Sequence, residues 1–217
     1  MKHKVTIIVA KNYCRYQLKK SGVFEMTAPD TVLRFWLDEV GPSKWYIEDS
    51  ALDATICEKF TRLWHQAMQG QLSLWLTHPS GALAYCILLD QFSRDMFRGN
   101  AKAFSADRCA LAAAKSAIHH KWDLRIDEPA RQFFYLPLMH SENLPDQDRC
   151  VRLIKTRLQQ SACSSLAHAK AHREVIRMFG RFPFRNDALC RAFTTPELQF
   201  AANGGYQKAL GPLEAAV

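Results

Sequence analysis

The sequence predicts an all-α fold of antiparallel helix pairs, about eight helices or more in one compact domain. Three observations carry this. From position 28 onward apolar residues recur at intervals of three and four, which places them on one face of a helix. After residue 25 no stretch shows the sustained apolar–polar alternation of a strand. Ser, Thr and Asp starts and Gly or Pro stops punctuate the chain at helix-length spacing.

The first helix spans 28–40, with Thr27 as N-cap, Pro29 early and Asp30 in the first turn. Val32, Leu33, Phe35, Trp36 and Leu37 are its apolar residues, and Gly41-Pro42 stops it. Ser50-Ala51-Leu52-Asp53 reads as a capping box for a second helix. Its Leu52, Ile56, Phe60, Leu63 and Ala67 share a face, and it ends before Gly70. A short segment, 72–76, precedes His78-Pro79. Ser80 begins a long apolar helix to about 98, Ser105 caps another to about 121, and Glu128-Pro129 starts one that breaks near Pro137. Segments 145–162 and 164–179 follow, and Thr195-Pro196-Glu197 opens the last helix. The expected core includes Trp36, Phe60, Leu88, Phe92, Phe133 and Phe179. No 34-residue repeat with a Trp/Gly/Tyr signature is visible.

The chain has 217 residues, 48% hydrophobic and 23% charged, which excludes disordered and low-complexity classes. No apolar run approaches the roughly 20 residues of a membrane span. The net charge is +8, unevenly placed. Residues 1–25 hold six bases and one acid; residues 150–191 hold nine bases and two acids. That pattern makes nucleic acid an unlikely partner, because much of the basic excess is a tail rather than one surface. The apolar run near the N-terminus ends at Lys11, too short for a secretory signal. Residues 1–27 are expected to be a basic extension outside a single domain at 28–217, in a cytoplasmic protein. The seven cysteines are scattered without a CxxC, so free thiols in a reducing compartment are expected, and no structural zinc.

Polar chemistry sits on otherwise apolar helices. On a wheel of the helix 80–98, Asp90, Gln91, Arg94 and Arg98 fall in one stripe roughly 100° wide, with Asp90 and Arg94 as an i,i+4 ion pair. His168 and His172 lie one turn apart on the apolar face of 164–182; hydrogen-bonded core histidines are the expectation, and no metal site. Two loops turn abruptly from apolar to polar: 135–142, ending in His140, Ser141 and Glu142, and 180–186, with Arg181, Arg185 and Asn186 around aromatic residues. Guanidinium forks in such a loop suit a carboxylate or phosphate. Phosphate loops, dinucleotide fingerprints and a G-x-S-x-G elbow are absent.

The run LLDQFSRDMFRG at 88–99 resembles the signature LLDQFxRNxFRG of the bacterial family called domain of unknown function 924. YLPLMHSE at 135–142, Asp146-Gln147, His172 ahead of FGRFPFRN at 179–186, and Arg191 followed by Thr194-Thr195-Pro196-Glu197 match in order. The departures are Ser93 for Pro, Asp95 for Asn and Phe184 for His. The resemblance implies a tetratricopeptide-like helical fold and no known activity. Three unrelated helix ends, each becoming charged, suggest one shared pocket, with a structural ion-pair network as the plain alternative. The first expectation is a binding site for a small anionic ligand or acidic peptide, held by Arg94, Arg98, Arg181 and Arg185 and oriented by Gln91, Asn186 and His172, with Asp90 among the ligand-binding residues. The alternative is an enzyme of hydrolase or lyase type on an anionic substrate. There His140 or His172 is the acid/base, and Glu142 or Asp90 sets the imidazole tautomer. No cofactor is expected.

Overall fold

The structure is a computed structural model that describes residues 28–159 and 162–214. It is all-helical, with nine helices and no strand among the described residues. Helix α1 begins at Ala28–Leu33 and loosens into a π turn at Arg34–Val40, closed by Gly41 at φ 74°, a conformation open to glycine. α2 is Ser50–Met68, and its N-cap is Asp49 rather than the expected Ser50. Asp49 accepts from the amides of Ala51 and Leu52, which makes Ser50 the first helical residue. A 3-10 turn, Ser73–Thr77, leads into α3.

α3 is the axis of the molecule. It runs from Pro79–Cys86 through a π turn at Ile87–Gln91 into Phe92–Met96. Every residue from Ala82 to Ser93 is buried. Gly81 lets the helix cross the 3-10 turn, because a Cβ there would run into the Trp75 carbonyl oxygen. α4, Asp107–His119, lays Ala110, Ala113, Ala114 and Ala117 against α3; small side chains allow a close approach. The helix expected from Glu128-Pro129 is instead a 3-10 turn, Ala130–Phe134, and the one-turn helix α5, Leu136–Met139. α6 (Leu144–Arg157) and α7 (Ala162–Phe179) pack as a pair, and α8 is Thr195–Ala202. α8 starts with a full capping box, Thr194 with Glu197.

A ninth helix, α9 at Gly205–Glu214, was not anticipated; Gly204-Gly205 and an internal Pro212 hide its periodicity. It packs on α7, where Leu210 meets Ala167 and Ala171. Helix lengths from 4 to 19 residues follow no regular repeat, and the tetratricopeptide-like arrangement stays an expectation from the resemblance. The expectation for residues 1–27 lies outside the described residues, as do Cys14 and the side chain of Cys163. The five described cysteines are free, with Cys86 and Cys150 fully buried and Cys190 exposed. No helix among the described residues is long and apolar enough to cross a membrane.

Aromatic packing locks α1 and α2 onto α3. Phe92 meets Phe60 at 4.8 Å and Trp36 at 5.3 Å between ring centres, and Trp45 meets Phe133 at 4.8 Å. Trp36, Phe60, Leu88, Phe92 and Phe133 are buried as expected, but Phe179 is only half-buried. Phe182, past the Gly180 turn, takes the interior place. Phe92→Ala would remove a ring that three aromatic neighbours enclose. The expected loss is about 3–5 kcal/mol of unfolding free energy, measured by denaturant titration; a loss under about 1 kcal/mol would contradict the central role of α3.

Candidate functional site

The π turn of α3 sets the site. A residue added to the turn breaks the 100° spacing on which the wheel depended. Asp90 and Gln91 lie in this turn, 1% and 8% exposed. Asp90 does not form its ion pair with Arg94, as the wheel predicted. Its Oδ1 accepts from His140 Nδ1 at 2.7 Å, and its Oδ2 accepts from Gln91 Nε2 at 2.5 Å. Burial opposes its ionisation, but His140, then Arg94 and the Gln91 bond, outweigh it and hold the carboxyl below the usual range. An ionised Asp90 puts the imidazole proton on Nδ1, so Nε2 is the nitrogen that remains for chemistry.

Above this pair lies a cavity of about 330 Å³ between the α3 turn, the 45–48 loop, α5 and α7. Gln91, Arg94, Arg98, His140, His168 and His172 line its polar part; Trp45, Leu136 and Met139 give it apolar surface. The His140 and His172 ring centres are 6.2 Å apart. His172 Nδ1 donates to the His168 carbonyl at 2.9 Å, with the Tyr206 hydroxyl 3.0 Å away. The same hydroxyl is 2.7 Å from His168 Nδ1. Burial, then the His140 charge, holds the His172 pKa down at about 3, so this imidazole is neutral, with its Nε2 lone pair free of a proton.

The arginines that face the cavity are already engaged. Arg98 binds Asp53 with two bonds of 2.8 and 2.9 Å, and reaches Asp95 at 3.0 Å and Glu48 at 3.4 Å. Burial and the neighbouring Asp53 push Asp95 up to about 7. Arg94 pairs with Asp107 at 2.8 Å and donates to the Ala103 carbonyl.

Of the other sequence candidates, Asp90 lies behind His140, and Glu142, Arg181, Arg185 and Asn186 lie away from the cavity. Arg185 is 5% exposed and lies between the rings of Phe104 and Phe182, 4.7 and 4.6 Å from their centres. It donates to the His140 carbonyl at 2.9 Å and to Asp107 at 3.3 Å. Burial, then the charge of Arg94, pulls its pKa down to about 10. Glu142 accepts from the Phe182 amide and takes both arms of Arg191 at 2.8 and 2.9 Å. Arg181 grips Glu197 at 2.6 and 2.8 Å, and Asn186 donates to the same carboxylate at 3.3 Å. These groups clamp the 180–197 loop under the His140 turn. The polar ends therefore form two layers: a cavity layer with Asp90, Gln91, Arg94, Arg98, His140 and His172, and a brace with Glu142, Arg181, Arg185 and Asn186. Among the described residues no group of three or more His, Cys, Asp or Glu side chains has the geometry to hold a metal ion. Sequence reasoning missed Trp45, Tyr46 and Tyr206; nothing local marks them, since each enters by a loop or helix packing from elsewhere in the chain.

The fold and site define a class: an all-helical protein with a buried aspartate bonded to a histidine that lines a small, partly open cavity. Residues 32–205 match the model of the family described as bacterial protein of unknown function (DUF924), and the chain belongs to that family. It is similar to a solved protein of unknown function from Agrobacterium tumefaciens, at 35% identity and a TM-score of 0.76, over 81% of this chain and 97% of that one. No curated protein matches.

Two outcomes test the brace. Arg185→Ala removes one partner of a buried pair and is expected to cost about 3–5 kcal/mol in denaturant unfolding; a loss below about 1 kcal/mol would show that the stacked guanidinium holds nothing. The Arg181–Glu197 clasp is pH-dependent. Glu197 sits at about 2 against an ordinary 4.5, first because Arg181 bonds it and then through Thr194. A depressed acid stabilises the fold fully above its ordinary value, and that contribution disappears as pH falls toward 2. The Tm gap between wild type and Glu197→Gln should therefore be constant above pH about 5 and shrink between 4.5 and 2.

Proposed function

We propose that the cavity is a small-molecule site in which His140 is the general acid/base, with Asp90 fixing its tautomer. One observation carries this reading: the 2.7 Å bond from His140 Nδ1, on a residue that lines the cavity, to a fully buried, ionised carboxylate behind it. An orienting carboxylate beneath an imidazole leaves Nε2 as the group that takes or gives a proton. When Nε2 accepts a proton, Asp90 stabilises the imidazolium that forms. Gln91 holds the second carboxylate oxygen, so the Asp90 plane stays fixed while His140 changes charge. His172, neutral and 6.2 Å away between ring centres, adds a second lone pair to the same space. Hydrolase and lyase chemistry both need such a group.

The binding-only alternative, a site for a small anionic ligand or acidic peptide, asks for guanidinium donors free to turn inward. Arg94 and Arg98 already hold carboxylates, and Arg181 and Arg185 belong to the brace. For that reason the acid–base reading takes precedence, with Glu142 assigned a bracing role in place of a catalytic one.

The test is a substrate screen followed by mutation. For any compound turned over, His140→Gln is expected to lower kcat by about 10²–10⁴. Asp90→Asn is expected to mix the His140 tautomers in long-range ¹H–¹⁵N spectra. Turnover within a few-fold of wild type in His140→Gln would overturn the proposal.

A further inference from the structure

The cavity's hydrogen-bonding groups can be counted by type. A backbone carbonyl only accepts, so the His172 Nδ1 that bonds the His168 carbonyl carries the hydrogen, and Nε2 presents a lone pair. His140 Nδ1 carries the hydrogen that bonds Asp90, so neutral His140 also presents Nε2 as an acceptor. Gln91 gives one N–H of its amide to Asp90, and its oxygen remains an acceptor. The residues that line the cavity thus bring three acceptors. The cationic donors nearby are committed to carboxylates. Around Arg98 stand three of them, Glu48, Asp53 and Asp95, so the mouth carries an excess of negative charge. Trp45 and Tyr46 add aromatic faces, which attract cations.

We propose that this cavity recognises a small primary amine, in its ammonium form, carrying an aromatic or short aliphatic body. The proposal rests on the reading of the cavity as a small-molecule site and deepens it by naming the ligand's class. An ammonium has three N–H donors, which match His140 Nε2, His172 Nε2 and the Gln91 oxygen. With the ring centres 6.2 Å apart, one nitrogen set to the side of the line joining them can bond both imidazoles at about 2.8–3.0 Å. The body of the amine would rest on Trp45, Leu136 and Met139. A cation beside Asp95 also relieves its repulsion by Asp53. Chemically the fit is purposeful: one N–H bond breaks, the proton passes to His140 Nε2, the imidazolium pairs with Asp90, and the electron pair of the broken bond becomes the lone pair of the neutral, nucleophilic amine. An anion at the same position would face the imidazole lone pairs, and the two guanidinium groups of the lining, Arg94 and Arg98, already hold carboxylates.

The test is calorimetric titration of the full chain at pH 7.5 with 2-phenylethylamine and, as a shape-matched anion, 3-phenylpropionate. The expected result is saturable binding of the amine, with the carboxylate at least about tenfold weaker. Asp95→Asn and Glu48→Gln are expected to weaken the amine about fivefold or more. Both variants should fold, since Asp95 is already easily neutralised and Glu48 is exposed. Preference for the carboxylate, binding of neither probe, or binding of Zn²⁺ alone in place of the amine would each overturn the inference. Loss of the acid–base reading shows up separately. If the amine binds but His140→Gln turns substrate over normally, the ligand class stands and the role of His140 falls.

Discussion

An ionised carboxylate inside a helix that is buried on every side is the constraint on which the rest depends. α3 exposes almost nothing between Ala82 and Ser93, and Asp90 lies in that stretch. Taking a lone charge out of water costs many kcal/mol, so the surrounding structure has to supply partners. The π turn brings Asp90 and Gln91 to the same side of the helix, and the end of α5 brings His140 within 2.7 Å. The helix that anchors the hydrophobic core thereby also anchors the polar site. A more regular helix would carry its polar residues along a single stripe, as the wheel predicted, and would pair Asp90 with Arg94.

The turn that ends in His140 is held from below rather than from within. Arg185 crosses from the 180–186 loop, stacks between two aromatic rings and bonds the His140 carbonyl. Asp107 of α4 joins Arg185 to Arg94, so the brace reaches back to the central helix. Around it, Glu142 with Arg191 and Arg181 with Glu197 close the loop onto α8. This explains why so many charged residues in the recognisable segments do not line the cavity. They hold the turn that carries His140 in one position, the fixed geometry that the proposed proton transfer would need.

The family motif drew attention to the right stretches for mixed reasons. In 88–99, Leu88, Leu89 and Phe92 are core, Asp90 and Gln91 face the site, and Arg98 ties the helix end to α2 through Asp53. Of its departures, Ser93 is fully buried; it accepts from Trp64 Nε1 and donates to the Leu89 carbonyl. Phe184 is largely exposed beside Phe182. Nothing in the described structure requires a histidine at that position.

Helical class, the central place of 80–98, most of the core and the membership of polar residues in a few loops were all legible from the amino-acid order. These are local properties: hydrophobic period, caps and stops act within a turn or two of the chain. Which charges meet was not legible. Asp90 and His140 are fifty residues apart in sequence, and the choice between Arg94 and His140 as partner turns on one widened helical turn. Glu142, Arg181, Arg185 and Asn186 looked like ligand groups because a loop of alternating aromatics and arginines reads the same whether it faces a cavity or braces one. Tyr206 came in on a helix masked by glycines and a proline. Ion pairing and cavity lining depend on distances between distant segments, and only the packed tertiary structure sets those distances.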